Sequence, residues 1–556
     1  MNSEENMTMI WRKYENCRDY LDRKALITRT DSCWDFYAGD QWKGIQAGGE
    51  QLPMLNFIKP VCKYKIATVA QNSLVAVFSD LEHREEYQKY CDLLERDFTK
   101  TWEKAKMDTL KWDLVKAACV QGDSYLFFGT ERPEDVQLIA NTAMMMGDEN
   151  EPDIQKQPYI IIYERVLVER VKEIAKQNGV DEVDIAMIAP DTDTQYQVGN
   201  KEEVRGSDKC SSILYLEKKD GIVNVARSTR GCVYEPLRPI AVTRGGEQVG
   251  GLTLYPIVSM IWEKLPNSAR GNSEVRQLMP NQLELNKTLA RRSMSVKMTA
   301  FPKIAYDATA IQNEEDLTTV GAAIAMQGAS SNIDQMIKYL NPASMSHDAE
   351  SLQSDLMQNT MTLAGAQDTA LGNVDPERVS GTAITAIRDQ AALPLNEQVS
   401  AYRQVAEDLA LLRYDMMVAY APEEGIAVSY TDDYGNEVTE MIPAEVLETF
   451  RPNVKVDVSS DNAWSKYAEQ QELANLLATD KITLQEYLEA LPNNSSLPKN
   501  KLLKLIERRA NGNSQNVQMQ DLSGGVSGLE QIQGAYSDAQ AGADYGGGTA
   551  GEIAGY

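Results

Sequence analysis

The chain has 556 residues, a hydrophobic fraction of 43% and a formal charge of −27, from 55 Lys and Arg against 82 Asp and Glu. That length is roughly three or four domains' worth of chain, with enough apolar residues for real cores. The acid excess argues against a compact binder of duplex DNA, whose affinity comes largely from Lys and Arg on phosphates.

Only two histidines occur, His83 and His347. A His-rich metal site cannot be built from them, and neither sits in a motif that a Ser-His-Asp triad would need. The seven cysteines (17, 33, 62, 91, 119, 210 and 232) form no CxxC pair. An odd count without close spacing reads as reduced, mostly buried thiols. The N-terminus lacks the basic-then-apolar pattern of a signal peptide, and no apolar run approaches the roughly 20 residues that span a bilayer. The expectation is a soluble protein made in a cytoplasm.

Residues 8–30 read as an amphipathic helix with Trp11, Tyr14, Cys17 and Leu21 on one face. The glycines of FYAGDQWKG end it. Residues 83–118 again carry helical spacing, with Tyr87, Tyr90, Cys91, Leu94, Leu110, Leu114 and Ala118, and run into a short buried strand, SYLFFG. Residues 130–262 change character. Four β-prone runs, PYIIIYERVLV, SSILYLEK, GIVNVAR and LYPIVSMIW, are separated by polar turns, and a helical piece, RVKEIAKQNG, ends at Gly179. This segment is α+β.

Helical spacing returns over 270–300, with Val275, Leu278, Leu285, Leu289 and Met298 and with Pro280 expected in the first turn. Six bases (Arg270, Arg276, Lys287, Arg291, Arg292, Lys297) face two acids (Glu274, Glu284) within 270–297. Three readings stay open: a solvated face, pairing with acids of a neighbouring subunit, or a face toward a negatively charged polymer. FPKIAYD opens a mixed module ending near Pro342, and a second helix follows on Leu352, Leu356 and Leu363.

Next comes a polar, glycine-containing loop, GAQDTALGNVDPERVSG, and then about forty residues of helical pattern with Pro394 in the middle. A loop this long is costly to order, and loops of such length are usually functional or disordered. An internal proline costs roughly 3 kcal/mol and bends a helix. The pair reads as a projecting loop held by a bent strut. VSYTDDYGNEVTEM then reads as a hairpin turning through Tyr434, Gly435 and Asn436. Residues 461–510 read as three short helices: one carrying Trp464, Tyr467, Leu473 and Leu476, one opening on a Thr483/Glu486 capping box, and KNKLLKLIERRA. Residues 511–556 are Gly-, Ser-, Gln- and Ala-rich with acids and no base, and are expected to be disordered.

Motifs for chemistry are weak. There is no GxxxxGK[ST] loop. Gly245-Gly246 and Gly250-Gly251 read as a loop tip, not a dinucleotide fingerprint. Asp191 and Asp193 lie in a run that lacks the glycine of a calcium loop. Asp432 and Asp433 read as leading into the hairpin turn, and nothing orders the other acids into a two-metal site. Trp34, Phe36, Tyr37 and Trp42 read as core or interface. No cofactor and no enzymatic activity are expected.

These pieces, in this order, resemble the portal proteins of tailed bacteriophages. The resemblance covers most of residues 30–510. It rests on FYAGDQWKG with LPMLNFIKPVCKYKIATVAQN, on AACVQGDSYLFFG, on LYPIVSMIWEKLPNSARGNSEVRQLMPNQLELNK, and on GNVDPERVSGTAITAIRDQ. It implies a helix-rich α+β portal fold with wing, stem, clip and crown regions that assembles as a ring, usually of twelve subunits. By position it places an N-terminal region and α/β wing at 1–262, the first stem helix at 263–300, the clip at 301–342 and the second stem helix at 343–364. It places the tunnel loop at 365–381, a bent wing helix at 382–420, a small β element of the wing at 421–460 and a helical crown at 461–510. The tail, 511–556, has no counterpart.

The resemblance further implies a non-enzymatic conduit at one capsid vertex, assembled in the bacterial cytoplasm and carried in the virion, through which the genome is packaged and ejected. Its implied partners are further copies of itself, double-stranded DNA passing without sequence preference, the terminase large subunit, a head–tail adaptor, and the major capsid and scaffolding proteins, with no membrane. Asp375, Glu377 and Arg378 would face the channel from the tunnel loop, and Pro394 would kink the helix behind it. Lys287, Arg291, Arg292 and Lys297 would be channel-lining or inter-subunit bases of the stem. Acidity suits such a channel: twelve copies at −27 carry on the order of −300, which repels phosphates over the roughly 8 Å screening length. The alternative is another structural or minor head protein of the virion, without a DNA channel. A nuclease or packaging ATPase would need an ordered acid cluster or a nucleotide loop.

Overall fold

The structure is a computed structural model. It describes residues 3–45, 52–71, 73–82, 84–129, 135–244, 247–300, 303–306, 315, 337–340, 348–363, 365, 393–422, 424–431, 437–450, 452–459, 473–479, 481–491, 502 and 505–506. Contacts divide the chain into two units, one holding residues 1–430 and 437–468, the other 431–436 and 469–556.

The first unit opens with α1 (Ser3–Arg23) and α2 (Leu26–Ala38), where one helix over 8–30 was predicted. The break falls at Ala25, whose φ of 51° is left-handed. No Gly or Pro marks it, which is why the pattern alone runs through. Helix α2 runs on past residue 30 and stops at Gly39, φ 107°, within the FYAGDQWKG segment whose glycines were expected to break it. Then follow α3 (Ile58–Ala70), β1 (Ser73–Asp80), α4 (Gln88–Lys104), α5 (Met107–Gln121) and β2 (Asp123–Phe128), the last buried along its whole length. Strand β2 is flanked in a three-stranded sheet by β3 (Val136–Ile139) and β11 (Ile257–Ile261), both antiparallel to it.

The α+β segment forms a five-stranded antiparallel sheet of β4 (Met144–Met146), β5 (Tyr159–Leu167), β6 (Lys209–Lys219), β7 (Ile222–Thr229) and β8 (Cys232–Pro239). Helices α6 (Val168–Gln177) and α7 (Glu182–Ala186) lie in the connection from β5 to β6. Side chains of a strand alternate between faces, and here both faces are dry. Ile160, Ile162, Leu214, Leu216, Val223 and Val225 point into the main core. Ile161, Tyr163, Ile213, Tyr215 and Ala226 point the other way, onto Tyr14, Cys17 and Leu21 of α1. The apolar face read from α1 is therefore the lid of a second core layer. A sheet covered on both sides gives near-continuous apolar runs, and PYIIIYERVLV is such a run.

A β9 (Ala241–Arg244) and β10 (Glu247–Gly251) pair precedes β11. Helix α8 (Glu274–Ala300) follows, then strands β12 (Lys303–Tyr306) and β13 (Ile337–Leu340), paired antiparallel, then α9 (Asp348–Leu363). Helix α10 (Asn396–Tyr420) crosses the main core, burying Tyr402, Val405, Leu409, Leu412, Met416 and Met417 among others. Strands β14 (Ile426–Thr431) and β15 (Glu437–Ile442) pair, and the hairpin tip with Asp432 and Asp433 lies outside the described residues. After α11 (Ala444–Thr449), β16 (Pro452–Ser459) pairs antiparallel with β1, tying the two ends of this unit together.

In the second unit, α12 (Leu484–Ala490) starts at the predicted capping box. Thr483 Oγ1 accepts from the Glu486 amide, and the Glu486 carboxylate accepts from the Thr483 amide at 2.7 Å. Leu473, Tyr487, Leu488, Leu491, Leu502 and Ile506 pack together there. Residues 511–556 lie outside the described residues.

Candidate functional site

The segment that carries most of the charged site residues is α8 with its partner α9. Its geometry begins at a crossing of two glycines. Gly122 ends α5 with φ 106°, and a Cβ there would sit 2.6 Å from the Gly271 carbonyl oxygen. A Cβ on Gly271 would in turn run into the Gly122 carbonyl and, at 2.8 Å, Ile261. Only glycine allows this approach, and it brings the start of α8 against the start of β2.

Arg270 locks the crossing. Its guanidinium donates to both Glu149 oxygens at 2.8 and 2.9 Å, to Asp123 Oδ2 at 3.3 Å, and to the carbonyls of Asn141 (2.8 Å) and Met144 (2.6 Å). Tyr125 also donates to Asp123 at 2.7 Å. Burial works against the Arg270 charge, but Glu149, Tyr125 and Asp123 hold it above the ordinary arginine range. Arg270 was counted with the bases of the helix. It lies before the helix, is 8% exposed, and is spent inside the fold. A planar fork with five donors suits this multiple pairing in a way that a lysine would not.

Helix α8 then starts on Ser273, whose hydroxyl donates to the Val120 carbonyl at 2.5 Å and accepts from the Arg276 amide at 3.2 Å. Glu274 pairs with Lys65 at 2.7 Å and accepts from the indole of Trp262 at 3.3 Å. Pro280 sits inside the helix instead of in its first turn. The sequence signal misled because Ser273, a good N-cap, lies further back.

Further along, fully buried Gln282 bonds to the Phe57 amide (3.1 Å), the Leu55 carbonyl (2.7 Å) and Asn286 (2.9 Å), and Asn286 bonds to Gln41 (2.6 Å). This polar ladder fixes α8 against the 41–57 segment. On its other side, Asn281 donates to Thr360 at 3.0 Å and Arg292 to Gln353 at 3.1 Å. The opposite run of these numbers makes α8 and α9 antiparallel.

The predicted bases lie in the outer half. Lys287 and Arg291 both reach Glu284 of their own helix, at 3.8 and 3.4 Å, with side chains 44% and 69% exposed. Arg292 is engaged by α9, and Lys297 lies in the last turn. Of the three readings, the exposed Lys287 and Arg291 keep all three open, and Arg270 leaves the set. Pro394 lies in a single tight turn, Leu393–Leu395, immediately before α10. Residues 382–392 lie outside the described residues, as do Asp375, Glu377 and Arg378, and His83 and His347.

Among the described residues no cluster of His, Cys, Asp or Glu could hold a metal ion, and no helix is long and apolar enough to cross a membrane. Asp191 is engaged by Arg165, which also binds Glu203 at 3.0 Å. All seven cysteines are buried and free. Trp34, Phe36 and Tyr37 pack against the main core, and the Trp42 indole donates to the Pro53 carbonyl at 3.1 Å.

The family model described as phage P22-like portal protein matches residues 243–542, more than half of the chain. The matched range includes α8, the β12–β13 pair, α9 and α10. No curated protein matches by sequence. Among solved structures, the neck of an empty GTA particle is similar at 12% identity and a TM-score of 0.34, covering 81% of this chain and 90% of that one. The virion of a native gene transfer agent particle is similar at 11% identity and a TM-score of 0.32, covering 78% and 89%. Likeness at that level says nothing by itself about function.

Proposed function

The chain belongs to the phage P22-like portal protein family, and we propose that it is the subunit of a portal ring of twelve copies at one capsid vertex. In this reading the ring is the channel for genome packaging and ejection. It docks the terminase large subunit during packaging and a head–tail adaptor afterwards, and it contacts the major capsid and scaffolding proteins. Assembly takes place in the bacterial cytoplasm, and the ring stays in the virion. The role is structural, in keeping with a structural family.

One observation supports it most: within the family-matched range, two antiparallel helices, α8 and α9, bracket a β-pair at 303–306 and 337–340. An antiparallel helix pair with a small β-pair between its members in the chain suits a stem carrying a clip. Its outer half exposes Met294 and Val296, at 63% and 61%, and Leu352 at 46%. A head-to-tail ring contact would bury such residues between neighbours. The tunnel loop at 365–381, with Asp375, Glu377 and Arg378, would reach toward the DNA path, with the turn at Pro394 leading back into α10. Lys287, Arg291, Arg292 and Lys297 would centre the duplex through brief, salt-sensitive contacts or pair with a neighbour's acids. The residues at 461–510 would form the crown.

Deletion of residues 372–379 tests the channel part of this reading. Assembly is expected to survive, while packaging or retention of DNA falls. Normal yields of infectious, full-length particles would sink the assignment of this loop.

A further inference from the structure

A second feature lies beside the α8 start and has no part in the ring reading. Between α2 and the beginning of α8 runs a small cleft lined by Arg29, Thr30, Cys33, Gln121, Asn272, Ser273 and Arg276. Two arginines meet there, one half-buried on α2 and one exposed on α8. Burial and then the neighbouring charge of Arg276 push the Arg29 guanidinium below its ordinary range.

Ion pairs and side-chain hydrogen bonds are plentiful around them, yet among the described residues neither guanidinium has one. The nearby carboxylate of Asp123 is engaged through Oδ2 by Arg270 and Tyr125, its buried Oδ1 has no hydrogen-bond partner among the described residues, and its charge partly offsets the repulsion at Arg29. The other polar groups of the lining are spent. Thr30 donates to Asn141 at 3.2 Å, Asn272 to Glu263 at 3.0 Å, and Ser273 to Val120 at 2.5 Å. Gln121 accepts from Trp34 and donates to the Asp123 carbonyl. Burial raises the Cys33 thiol, which keeps it neutral. What the cleft offers a ligand is therefore two positive forks in a chain of net charge −27.

Two like charges held near one another by different helices, one of them half-buried, repel, and an anion between them relieves that repulsion. Arginine forks match the oxygens of phosphate in a bidentate way. We propose that Arg29 and Arg276 form a binding site for a phosphate-type oxyanion, taken either as the free ion or as a phosphodiester of a nucleic-acid backbone. The cleft itself has room for about one water, roughly 10 Å³, so the anion caps its mouth against the two forks and any remainder of the ligand stays outside. Bound there, the anion bridges α2 to α8.

The test uses the full-length protein and inorganic phosphate. Thermal unfolding is followed as phosphate replaces chloride at constant ionic strength and pH. The wild-type melting temperature is expected to rise and saturate with phosphate, as binding to the folded state requires. Arg29→Gln and Arg276→Gln should each weaken the apparent phosphate affinity at least tenfold, and the double variant should not respond. In chloride the double variant should melt no lower than wild type, because a repulsion is gone; this separates lost binding from damage to the fold. A short DNA duplex added as competitor identifies the source: displacement of phosphate assigns a backbone diester, and no displacement assigns the free ion. A wild-type protein indifferent to phosphate, or a response retained by the double variant, overturns the site. So does a double variant that loses self-association while wild type ignores phosphate, since the arginines would then belong to a carboxylate of a second copy.

Discussion

In the first half of α8, Glu274, Gln282 and Asn286 are buried and each is tied to a distant part of the chain, while past Arg291 the same helix exposes Met294 and Val296. The charged pairs differ in the same way. Arg270, just before the helix, holds two acids from 121 and 147 residues away. Among the described residues Lys287 and Arg291 reach only Glu284, on their own helix. The inner set costs desolvation and repays it only as a complete network. The outer set costs little and contributes little. The contrast separates two jobs within one helix: the inner half fixes the direction in which it leaves the core, and the outer half offers surface.

Removing Arg270 breaks the comparison at its strongest point. Arg270→Ala leaves Asp123 and Glu149 buried without their cation, and a loss of about 3–5 kcal/mol is expected in chemical denaturation. A loss below about 1 kcal/mol would mean that something other than this hub holds the start of α8.

Arg165 lies between the two extremes. Its side chain is 2% exposed, while that of its partner Glu203 is 18% exposed. Its hydrogen bonds hold the Glu203 carboxylate below the usual range. A depressed carboxylate stabilises the fold above its unfolded pKa and loses that contribution as pH falls through the folded value. Stability should therefore drop below about pH 4. In Arg165→Gln the carboxylate returns toward its ordinary value, so the variant should be weaker at neutral pH and show a shallower acid drop. Melting temperatures from pH 7 to pH 2 check this, and parallel curves for both proteins would contradict it.

The smallest effect on stability is expected at the outer end. The Lys287→Gln, Arg291→Gln variant should unfold within about 0.5 kcal/mol of wild type. If these bases touch DNA or a neighbour, the change should appear instead in the salt dependence of packaging or assembly. A large stability loss would show that the outer half is bound into the fold as firmly as the inner one.

The same contrast governs what the sequence could tell. Local signals were readable: the capping box at Thr483, the β-prone runs of the five-stranded sheet, the helix of 270–300 and the second helix after Pro342 each left a pattern in adjacent residues. Long-range pairings left none. Nothing near Ser79 announces a strand partner 374 residues on, and nothing near Gly122 announces Gly271. A buried arginine and a solvated one count alike in a charge tally, so Arg270 looked like one base among six. The cleft at Arg29 and Arg276 was invisible for the same reason, because two helices far apart in the chain each supply one charge. Ala25 breaks its helix through a left-handed backbone that no Gly or Pro foretold.

Ring assembly is the central claim, and the mass of the full-length protein in solution tests it most directly. Native mass measurement across salt and protein concentration, with negative-stain imaging of the same samples, should find a discrete closed ring of about twelve subunits with a central hole. Monomers and dimers alone, under every condition, would contradict it.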